Sequence, residues 1–386
     1  MNIAVLGCGL VGGPMVRDLV EDPSLFVTAA DIRRDALDAL PKTGHLKTVQ
    51  TDLSDPSAVT ALVSESDLVV SAVPGHMGFA VLRALIEARK HVVDIAFFPE
   101  DPFLLDEPAR RNDVTVVVDC GVMPGMGNIL SAHAASQLDH VEEILIYVGG
   151  LPQVREWPYE YRAVFSPIDV IEEYTRPARY LEFGRVVTRP ALSDPEYVHF
   201  PGVGTLEAFN SDGLRTMLTT IKADHMREKT LRYPGHIEKI AVLRETGFFS
   251  KEPIEIRGAR ITPLEFTARI LFPKWTLGEG EEDLTVMNVT VKGRKDGIPV
   301  THRFDLLDRY DRDRGVISMA RTTGYTATSA ARMIRAGLYD TRGVSAPEFI
   351  GREPRCVEFL LRELALRGIH YQSSVSGPAT VPATGS

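Results

Sequence analysis

The sequence has few cysteines and none of the spacings that typically hold a metal or a disulfide framework. Its three cysteines, Cys8, Cys120 and Cys356, lie far apart, are odd in number and form no CxxC pair. The ten histidines are scattered and include no HxxxH pair. We therefore expect no metal site and no disulfide framework, and a reducing compartment fits this composition best.

A surplus of basic residues and a long apolar run are also missing. The formal net charge is −9, which argues against a general binder of nucleic acid or of an anionic membrane. The longest uncharged run, residues 120–138, is too polar for a membrane span. Met1 leads directly into a strand-like segment, so no signal peptide is expected. We expect a cytoplasmic protein, and its 386 residues suggest two or three domains.

The first third of the chain alternates apolar, β-rich runs with helical patterns. Uniformly apolar strands in such an alternation predict a parallel sheet that helices cover on both faces. Strands are predicted at 3–6, 26–30, 46–50, 68–72, 91–95 and 114–118. Helices are predicted at 11–20, 34–39, 56–65, 78–89 and within 99–112.

The pattern changes after Asp119, where the predicted strands become longer and partly alternating. They lie at 144–148, 161–165, 180–187, 284–291 and 300–307, and helical patterns return at 325–336 and 354–367. The predicted fold is α/β: a doubly wound parallel Rossmann sheet (1–120), an α+β domain on a mixed sheet (121–320) and C-terminal helices (321–370). The remainder, 371–386, is small and polar and is expected to be disordered.

A GxGxxG motif follows the first predicted strand and opens the first predicted helix. Its members and the residues between them are candidate cofactor ligands: Gly7, Gly9, Leu10, Val11 and Gly12. In this context Gly9 lets the backbone approach a pyrophosphate, Gly12 lets helix and strand pack closely, and the helix N-terminus attracts phosphate. We therefore predict a nicotinamide dinucleotide site.

Two aspartates bear on which dinucleotide is bound. Asp31 ends the second strand, where a carboxylate can accept hydrogen bonds from the ribose hydroxyls and would repel a 2′-phosphate, so NAD is favoured over NADP. Arg33 and Arg34 point the other way, because an arginine there can accommodate the phosphate. Asp52 follows the third strand and is interpreted either as an adenine contact or as a turn residue.

Ligands of doubly wound sheets lie beyond the carboxyl ends of the strands. The fourth predicted strand ends in Ser71, Ala72 and Val73, which we assign to the cofactor site. The fifth ends at Asp94 and the sixth at Cys120, so the loops that follow should face the reacting carbon.

Eight segments of the chain carry a family resemblance: residues 7–12, 93–95, 119–125, 148–152, 172–174, 206–216, 228–236 and 321–325. Together they resemble the saccharopine dehydrogenase family, and within it most closely the lysine 6-dehydrogenases. The two middle-domain segments, 206–216 and 228–236, are the most specific.

The resemblance implies an enzyme that oxidises an amine with a nicotinamide cofactor. It also implies a homodimer or a dimer of dimers, C-terminal helices that pack on the Rossmann domain, and Glu173 in the substrate site. Relatives on the saccharopine branch tend to carry an aspartate where this chain has Met123. The difference favours a lysine-type over a saccharopine-type substrate.

Three residues are candidates for holding the amine and relaying its proton. Asp94 is the first, with a loop cap as the alternative interpretation. His236 and Tyr233 follow; a lone histidine is more often structural, but this one lies in a polar cluster.

A substrate carboxylate calls for a bidentate arginine, and Arg215 is the first choice and Arg232 the second, with ordinary ion pairs as the alternative. Cys120 is interpreted as a small apolar wall of the substrate site, since hydride transfer needs no thiolate.

These inferences together predict NAD-dependent oxidative deamination of the L-lysine ε-amine to 2-aminoadipate 6-semialdehyde. The alternatives are a saccharopine dehydrogenase or reductase acting on a secondary amine, and a non-catalytic NAD-binding protein on the same fold.

Overall fold

A computed structural model describes residues 1–278 and 280–377. Its first third alternates strands and helices, as the sequence predicts. The strands are β1 (Asn2–Leu6), β2 (Phe26–Asp31), β3 (Leu46–Gln50), β4 (Leu68–Ser71), β5 (His91–Asp94) and β6 (Thr115–Val117). The helices are α1 (Gly12–Val20), α2 (Arg34–Asp38), α3 (Pro56–Leu62), α4 (Gly75–Glu87) and α5 (Asp106–Arg111), with a 3₁₀ turn at Pro102–Leu105.

These strands form one parallel sheet in the order β6-β5-β4-β1-β2-β3, and a seventh strand, β17 (Gly343–Ser345), pairs beside β6. The strand order reverses between β1 and β4, which is where a doubly wound sheet binds its ligand. Both strands there are fully buried beyond their first residues, which explains why they are apolar without alternation. The predicted Rossmann sheet is confirmed; β17 was missed, because three residues carry no detectable period.

The rest of the chain builds a mixed sheet. Its strands are β7 (His140–Pro152), β8 (Ala178–Glu182), β9 (Arg185–Arg189), β10 (Glu196–Phe200), β11 (Gly204–Asn210), β12 (His225–Arg232), β15 (Asp283–Lys295), β16 (Ile298–Arg309) and β18 (Gln372–Ser376). Their order is β10-β11-β12-β7-β15-β16-β18, with β8 beside β12 and β9 beside β8. The β12–β7 pair is parallel and the other pairs are antiparallel, so the predicted mixed sheet is confirmed.

A separate hairpin joins β13 (Ile254–Ile256) to β14 (Ala259–Ile261). The helices between and after these strands are α6 (Met126–Ala135), α7 (Pro167–Thr175), α8 (Met217–Thr220), α9 (His236–Thr246), α10 (Pro263–Trp275), α11 (Ser318–Arg335), α12 (Pro347–Gly351) and α13 (Pro354–Leu366). No helix in the described ranges is both long and apolar enough to cross a bilayer.

Three local predictions need correction. Residues 161–165 form no strand; only Ala163 makes a bridge, to Thr276. Residues 180–187 are not one strand but the β8–β9 hairpin, because Phe183 and Gly184 turn with positive φ. The predicted disorder from 371 is wrong for β18, since its backbone pairs with β16 without needing apolar side chains. Residues 378–386 of the predicted tail lie outside the described part.

One buried carboxylate on α1 joins the C-terminal helices to the Rossmann unit. Asp18 accepts hydrogen bonds from the Thr328 hydroxyl and the Arg332 guanidinium, both on α11. It also accepts one from the Arg367 guanidinium, which follows α13. α1 therefore lies between the parallel sheet and helices contributed by the last part of the chain.

Candidate active site

One cavity of about 780 Å³ is lined by residues of both sheets, a volume ordinary for a small-molecule site. At one end it meets the turn between β1 and α1, and at the other it meets α7 and β12. We call these the cofactor end and the substrate end.

The glycine turn at the cofactor end fits a dinucleotide. The position that a Cβ would take on Gly9 has no atom within 4 Å, so the backbone there faces open space in the cavity. A Cβ on Gly12 would lie 1.9 Å from the carbonyl oxygen of Gly7, so glycine is required for the close packing. α1 has no side-chain cap at its N-terminus. The Gly13 N–H donates to the Gly9 carbonyl oxygen at 3.0 Å, and the Gly12 N–H, the first of the helix, is the one available to a phosphate.

Asp31 lines this end, and its carboxylate is held by the backbone. Oδ2 accepts the Cys8 N–H at 2.7 Å and Oδ1 accepts the Arg33 N–H at 2.8 Å. The Arg33 side chain is more than half exposed, with Nε 3.9 Å from Oδ1. The position is therefore acidic, with one exposed guanidinium beside it.

Most of the other predicted cofactor residues also line the cavity, namely Gly7, Leu10, Val11, Asp52, Ala72 and Val73. Asp52 accepts hydrogen bonds from the N–H and hydroxyl of Ser54, which lower its pKa and give it a turn role as well. Ser71 is a correction: it is fully buried within β4, paired between Leu6 and Asp94, and does not reach the cavity.

The substrate end is rich in acidic side chains. Five carboxylates and two guanidinium groups line it: Asp169, Glu172, Glu173, Asp212, Glu228, Arg176 and Arg232. Such a lining favours a ligand that carries positive charge.

Glu228 is the buried carboxylate best placed to exchange a proton with a ligand. Along β12, Glu228, Thr230 and Arg232 face the cavity at the two-residue period of a strand. Oε2 of Glu228 accepts the Ser211 hydroxyl at 2.7 Å and the Gly213 N–H at 3.0 Å. Burial raises the pKa of Glu228 to about 7, despite these two hydrogen bonds.

The same strand period explains why Tyr233 is not at the site. It lies on the opposite face from Arg232, and its hydroxyl donates to the Pro152 carbonyl oxygen at 2.9 Å. The prediction that Tyr233 contacts the substrate is therefore wrong in this structure.

His236 is also a correction. Its imidazole is fully buried between the Tyr174 hydroxyl (2.9 Å) and the Tyr159 carbonyl oxygen (2.7 Å) and does not line the cavity. Burial, and then the nearby Arg232 charge, lower the pKa of His236 to about 3. The imidazole therefore stays neutral and structural.

Arg232 lines the cavity as predicted, but its guanidinium is already engaged. Nε donates to the Tyr174 hydroxyl, Nη1 to the Leu231 carbonyl oxygen and Nη2 to Glu173, at 3.0, 2.9 and 2.7 Å. Glu173 also lines the cavity, so this ion pair forms part of the wall. Arg232 has little left to offer a substrate carboxylate.

Arg215, the first-choice carboxylate ligand, is a correction. It does not line the cavity, and it holds Asp119 through two hydrogen bonds at 3.0 and 3.1 Å. A third bond goes to the Phe98 carbonyl oxygen. Three of its five N–H donors, one on each nitrogen, are therefore used to fix the loop after β6.

Asp94 and Cys120 lie just behind the cavity wall. Asp94 is fully buried; Oδ2 accepts the Ala96 N–H, Oδ1 has no partner within the described residues, and burial raises its pKa to about 8. Cys120 is fully buried, and burial raises its thiol pKa to about 12. Neither lines the cavity, so their predicted contacts with the substrate are corrected.

Sequence reasoning missed Arg176. Its guanidinium lies 4.5 Å above the Phe97 ring and 3.8 Å from Glu172, and it makes no side-chain hydrogen bond within the described residues. The signal was available in the spacing of Asp169, Glu172 and Arg176, which share one helical face.

In the described parts of the chain, no group of three or more His, Cys, Asp or Glu side chains is arranged to hold a metal ion.

Comparison with known proteins accounts for nearly the whole chain. Residues 3–117 match the family model described as "Saccharopine dehydrogenase NADP binding domain". Residues 121–369 match the one described as "Saccharopine dehydrogenase C-terminal domain".

Individual relatives are distant. A saccharopine dehydrogenase [NADP(+), L-glutamate-forming] of Pyricularia oryzae is 28% identical over 65% of this chain and 58% of its own length, so the chain spans less than two thirds of that relative. A carboxyaminopropylagmatine dehydrogenase of Synechocystis is 21% identical over 98% of both chains. An apo saccharopine dehydrogenase (L-Glu forming) structure from Saccharomyces cerevisiae superposes with a TM-score of 0.79 at 20% identity, covering 97% and 99% of the two chains, and shows that the fold is shared.

Proposed function

The chain belongs to the saccharopine dehydrogenase family, and from this premise we propose that it oxidises the ε-amine of L-lysine with a nicotinamide dinucleotide. The ε-carbon would lose a hydride, and the resulting imine would take up water to give 2-aminoadipate 6-semialdehyde and ammonia. The bound cofactor supplies the hydride acceptor.

The observation that carries the proposal is the charge of the substrate end. Five carboxylates and two guanidinium groups line it, but Glu173 is paired with Arg232, Asp212 with Arg179 and Glu172 with Lys251. Within the described residues, Asp169 and Glu228 are the carboxylates without an ion pair, and Arg176 is the guanidinium without a hydrogen bond. Lysine brings two ammonium groups and one carboxylate, which such a lining can balance. A saccharopine-type substrate brings three carboxylates and would need more cations than this lining offers.

Hydride can leave the carbon only when the nitrogen lone pair is free. An ε-amine has a pKa of about 10.4, so nearly all lysine arrives as ammonium. In the proposed reaction Glu228 first attracts this ammonium and then accepts its proton, since a pKa near 7 suits both states. Ser211 and Gly213 hold one carboxylate oxygen and so orient the other toward the cavity.

We further propose that NAD is preferred over NADP. The support is Asp31, a cavity-lining carboxylate at the end of β2, which would repel a 2′-phosphate. The names of the matched domain and of the Pyricularia relative point instead to NADP. Arg33 is the residue that would accommodate that phosphate if NADP is used.

A secondary amine is the second candidate substrate class, because the Pyricularia and Synechocystis relatives are named for such compounds. The acidic lining would suit one that ends in a cationic group better than one that ends in carboxylates. A non-catalytic NAD-binding role is the candidate outside enzymology.

The test follows reduced-cofactor absorbance with lysine, other basic amino acids, diamines and saccharopine, each with NAD⁺ and with NADP⁺. Turnover of lysine above the other compounds supports the proposal. Turnover of saccharopine alone would overturn it, and tight cofactor binding with no turnover of any amine would favour the non-catalytic role.

A further inference from the structure

One face of α7 carries charges of both signs into the cavity. Asp169, Glu172, Glu173 and Arg176 are spaced at three, four and seven residues, which places them on the same side of a helix. All four line the cavity. α7 therefore presents three carboxylates, and Arg176, the residue that caps its C-terminal end, presents a guanidinium to the same ligand.

The first and last of these charges lack strong partners. Asp169 forms no ion pair within the described residues, and burial raises its pKa. Arg176 is 3.8 Å from Glu172, longer than a hydrogen bond, and its side chain is only 17% exposed. By contrast, Glu172 is held by Lys251 at 2.7 Å, and Glu173 by Arg232. Asp169 and Arg176 are thus the two groups with capacity left for a ligand.

Both groups converge on the same part of the wall. The position that a Cβ would take on Gly75 is 2.5 Å from the Phe97 carbonyl oxygen and 3.5 Å from Oδ1 of Asp169. The guanidinium of Arg176 lies over the Phe97 ring. A Cβ at position 75 would overlap the Phe97 carbonyl oxygen, so glycine is required for this close approach, and Asp169 and Arg176 both lie beside Phe97.

The geometry points to α7 as the element that recognises the head group of an α-amino acid, with Arg176 binding the α-carboxylate and Asp169 binding the α-ammonium. This inference rests on the proposed function for the identity of the reacting amine. It names the substrate class as a free α-amino acid and distinguishes it from a simple diamine, which has no carboxylate for Arg176.

Arg176 is better suited to the anchor role than either arginine proposed from the sequence. Arg215 is bound to Asp119 behind the wall, and Arg232 is bound to Glu173 within it. A planar guanidinium can take a carboxylate through two parallel hydrogen bonds while its face stays on the Phe97 ring. Arg176→Lys would lose that bidentate geometry while keeping the charge.

The test uses three ligands that differ in one head group at a time. Lysine has both groups, cadaverine lacks the α-carboxylate, and 6-aminohexanoate lacks the α-ammonium. Binding of each is measured by calorimetry to full-length protein saturated with reduced cofactor, so that no turnover occurs. The variants are Arg176→Ala, Arg176→Lys and Asp169→Asn. The control is Arg260→Ala, an exposed guanidinium on β14 that does not line the cavity.

Arg176→Ala should weaken lysine and 6-aminohexanoate by about 10- to 150-fold, as expected for a lost charge-assisted hydrogen bond, and leave cadaverine within about threefold. Arg176→Lys should recover only part of the loss. Asp169→Asn should weaken lysine and cadaverine and spare 6-aminohexanoate. Arg260→Ala should leave all three unchanged, and cofactor titration checks that each variant is folded.

An equal loss for all three ligands in Arg176→Ala would overturn the inference, and so would a wild-type protein that binds none of them. If the head-group pattern holds but lysine is not oxidised, the proposed function fails while the recognition of an α-amino acid by α7 stands.

Discussion

The two ends of the cavity are built from different parts of the chain and by different means. The cofactor end is mainly backbone: a turn in which Gly9 faces open space and Gly12 packs against Gly7. The substrate end is mainly charged side chains from α7 and β12. Steric fit therefore governs binding at the cofactor end, and charge balance governs binding at the substrate end. Added bulk should harm the cofactor end and be tolerated at the substrate end, and loss of a charge should do the reverse.

The largest expected effect is at the substrate end. Glu228→Gln removes the proposed proton acceptor with little change of shape, and kcat should fall by about 10²- to 10⁴-fold, as loss of an acid–base group does. Since burial raises the pKa of Glu228 to about 7, wild-type kcat/KM should rise as pH increases through that value. The variant should lose this rise and keep the later one that follows amine deprotonation. A pH–rate series with lysine measures both.

Asp94→Asn is the matched comparison, because Asp94 has a raised pKa but lies behind the wall. This substitution should lower kcat less than Glu228→Gln does, and the rise of kcat/KM near pH 7 should remain. A larger fall of kcat in Asp94→Asn than in Glu228→Gln would assign the proton transfer to Asp94.

The next effect is at the cofactor end. Gly9→Val adds bulk to an open face, so it should spare folding and raise the Kd for the dinucleotide by roughly 100-fold, about 2.7 kcal/mol. Gly44→Val is the control, since a Cβ at Gly44 also has no atom within 4 Å but lies outside the cavity. Equal affinity of the two variants by calorimetry would mean that the glycine turn does not hold the cofactor.

A smaller effect concerns the one acidic contact at the cofactor end. Asp31→Ser should shift the ratio of kcat/KM for NAD to that for NADP toward NADP by about tenfold, or 1.4 kcal/mol. Asp35→Ser is the control, because Asp35 is exposed, lies near Arg33 and does not line the cavity. A wild type that already prefers NADP tenfold would contradict the assignment of Asp31.

The smallest effect is on the thermal stability of the fold and concerns a buried carboxyl group. Glu348 is buried and accepts hydrogen bonds from Asn128 and Thr216, yet burial raises its pKa to about 7 from 4.5. A carboxyl whose pKa is higher in the folded chain contributes stability below about pH 4.5 that is lost as pH rises through about 7. This contribution should therefore be lost between about pH 4.5 and 7, and over that range the Tm of Glu348→Gln should fall by about 2 °C less than the Tm of the wild type. An unchanged slope of Tm against pH would refute this.

The same contrast explains how much of the site could be predicted. The glycine turn and Asp31 lie within one contiguous segment, so motif and spacing located them. The substrate end joins residues near 212 and 230, which the pairing of β11 with β12 brings together, to residues near 170, which α7 brings to Arg232 through Glu173 and Tyr174. Arg215 and Arg232 were reasonable candidates by residue type, but whether each is buried and already paired depends on the tertiary structure, which the sequence motifs do not reveal. The strand period of β12 could have separated Glu228 from Tyr233, and the helical spacing of α7 could have located Arg176.

Strand β17 has a consequence for how the chain folds during its synthesis. The parallel sheet is completed by residues 343–345, which are synthesised after every strand of the mixed sheet except β18. A ribosome adds about 5–20 residues per second, so the free edge of β6 waits on the order of tens of seconds for its neighbour. An unpaired edge strand invites wrong pairing with other chains during that interval. We therefore expect nascent chains that stop short of β17 to depend most on chaperones, and a truncation that reaches β17 to damage the nucleotide-binding unit.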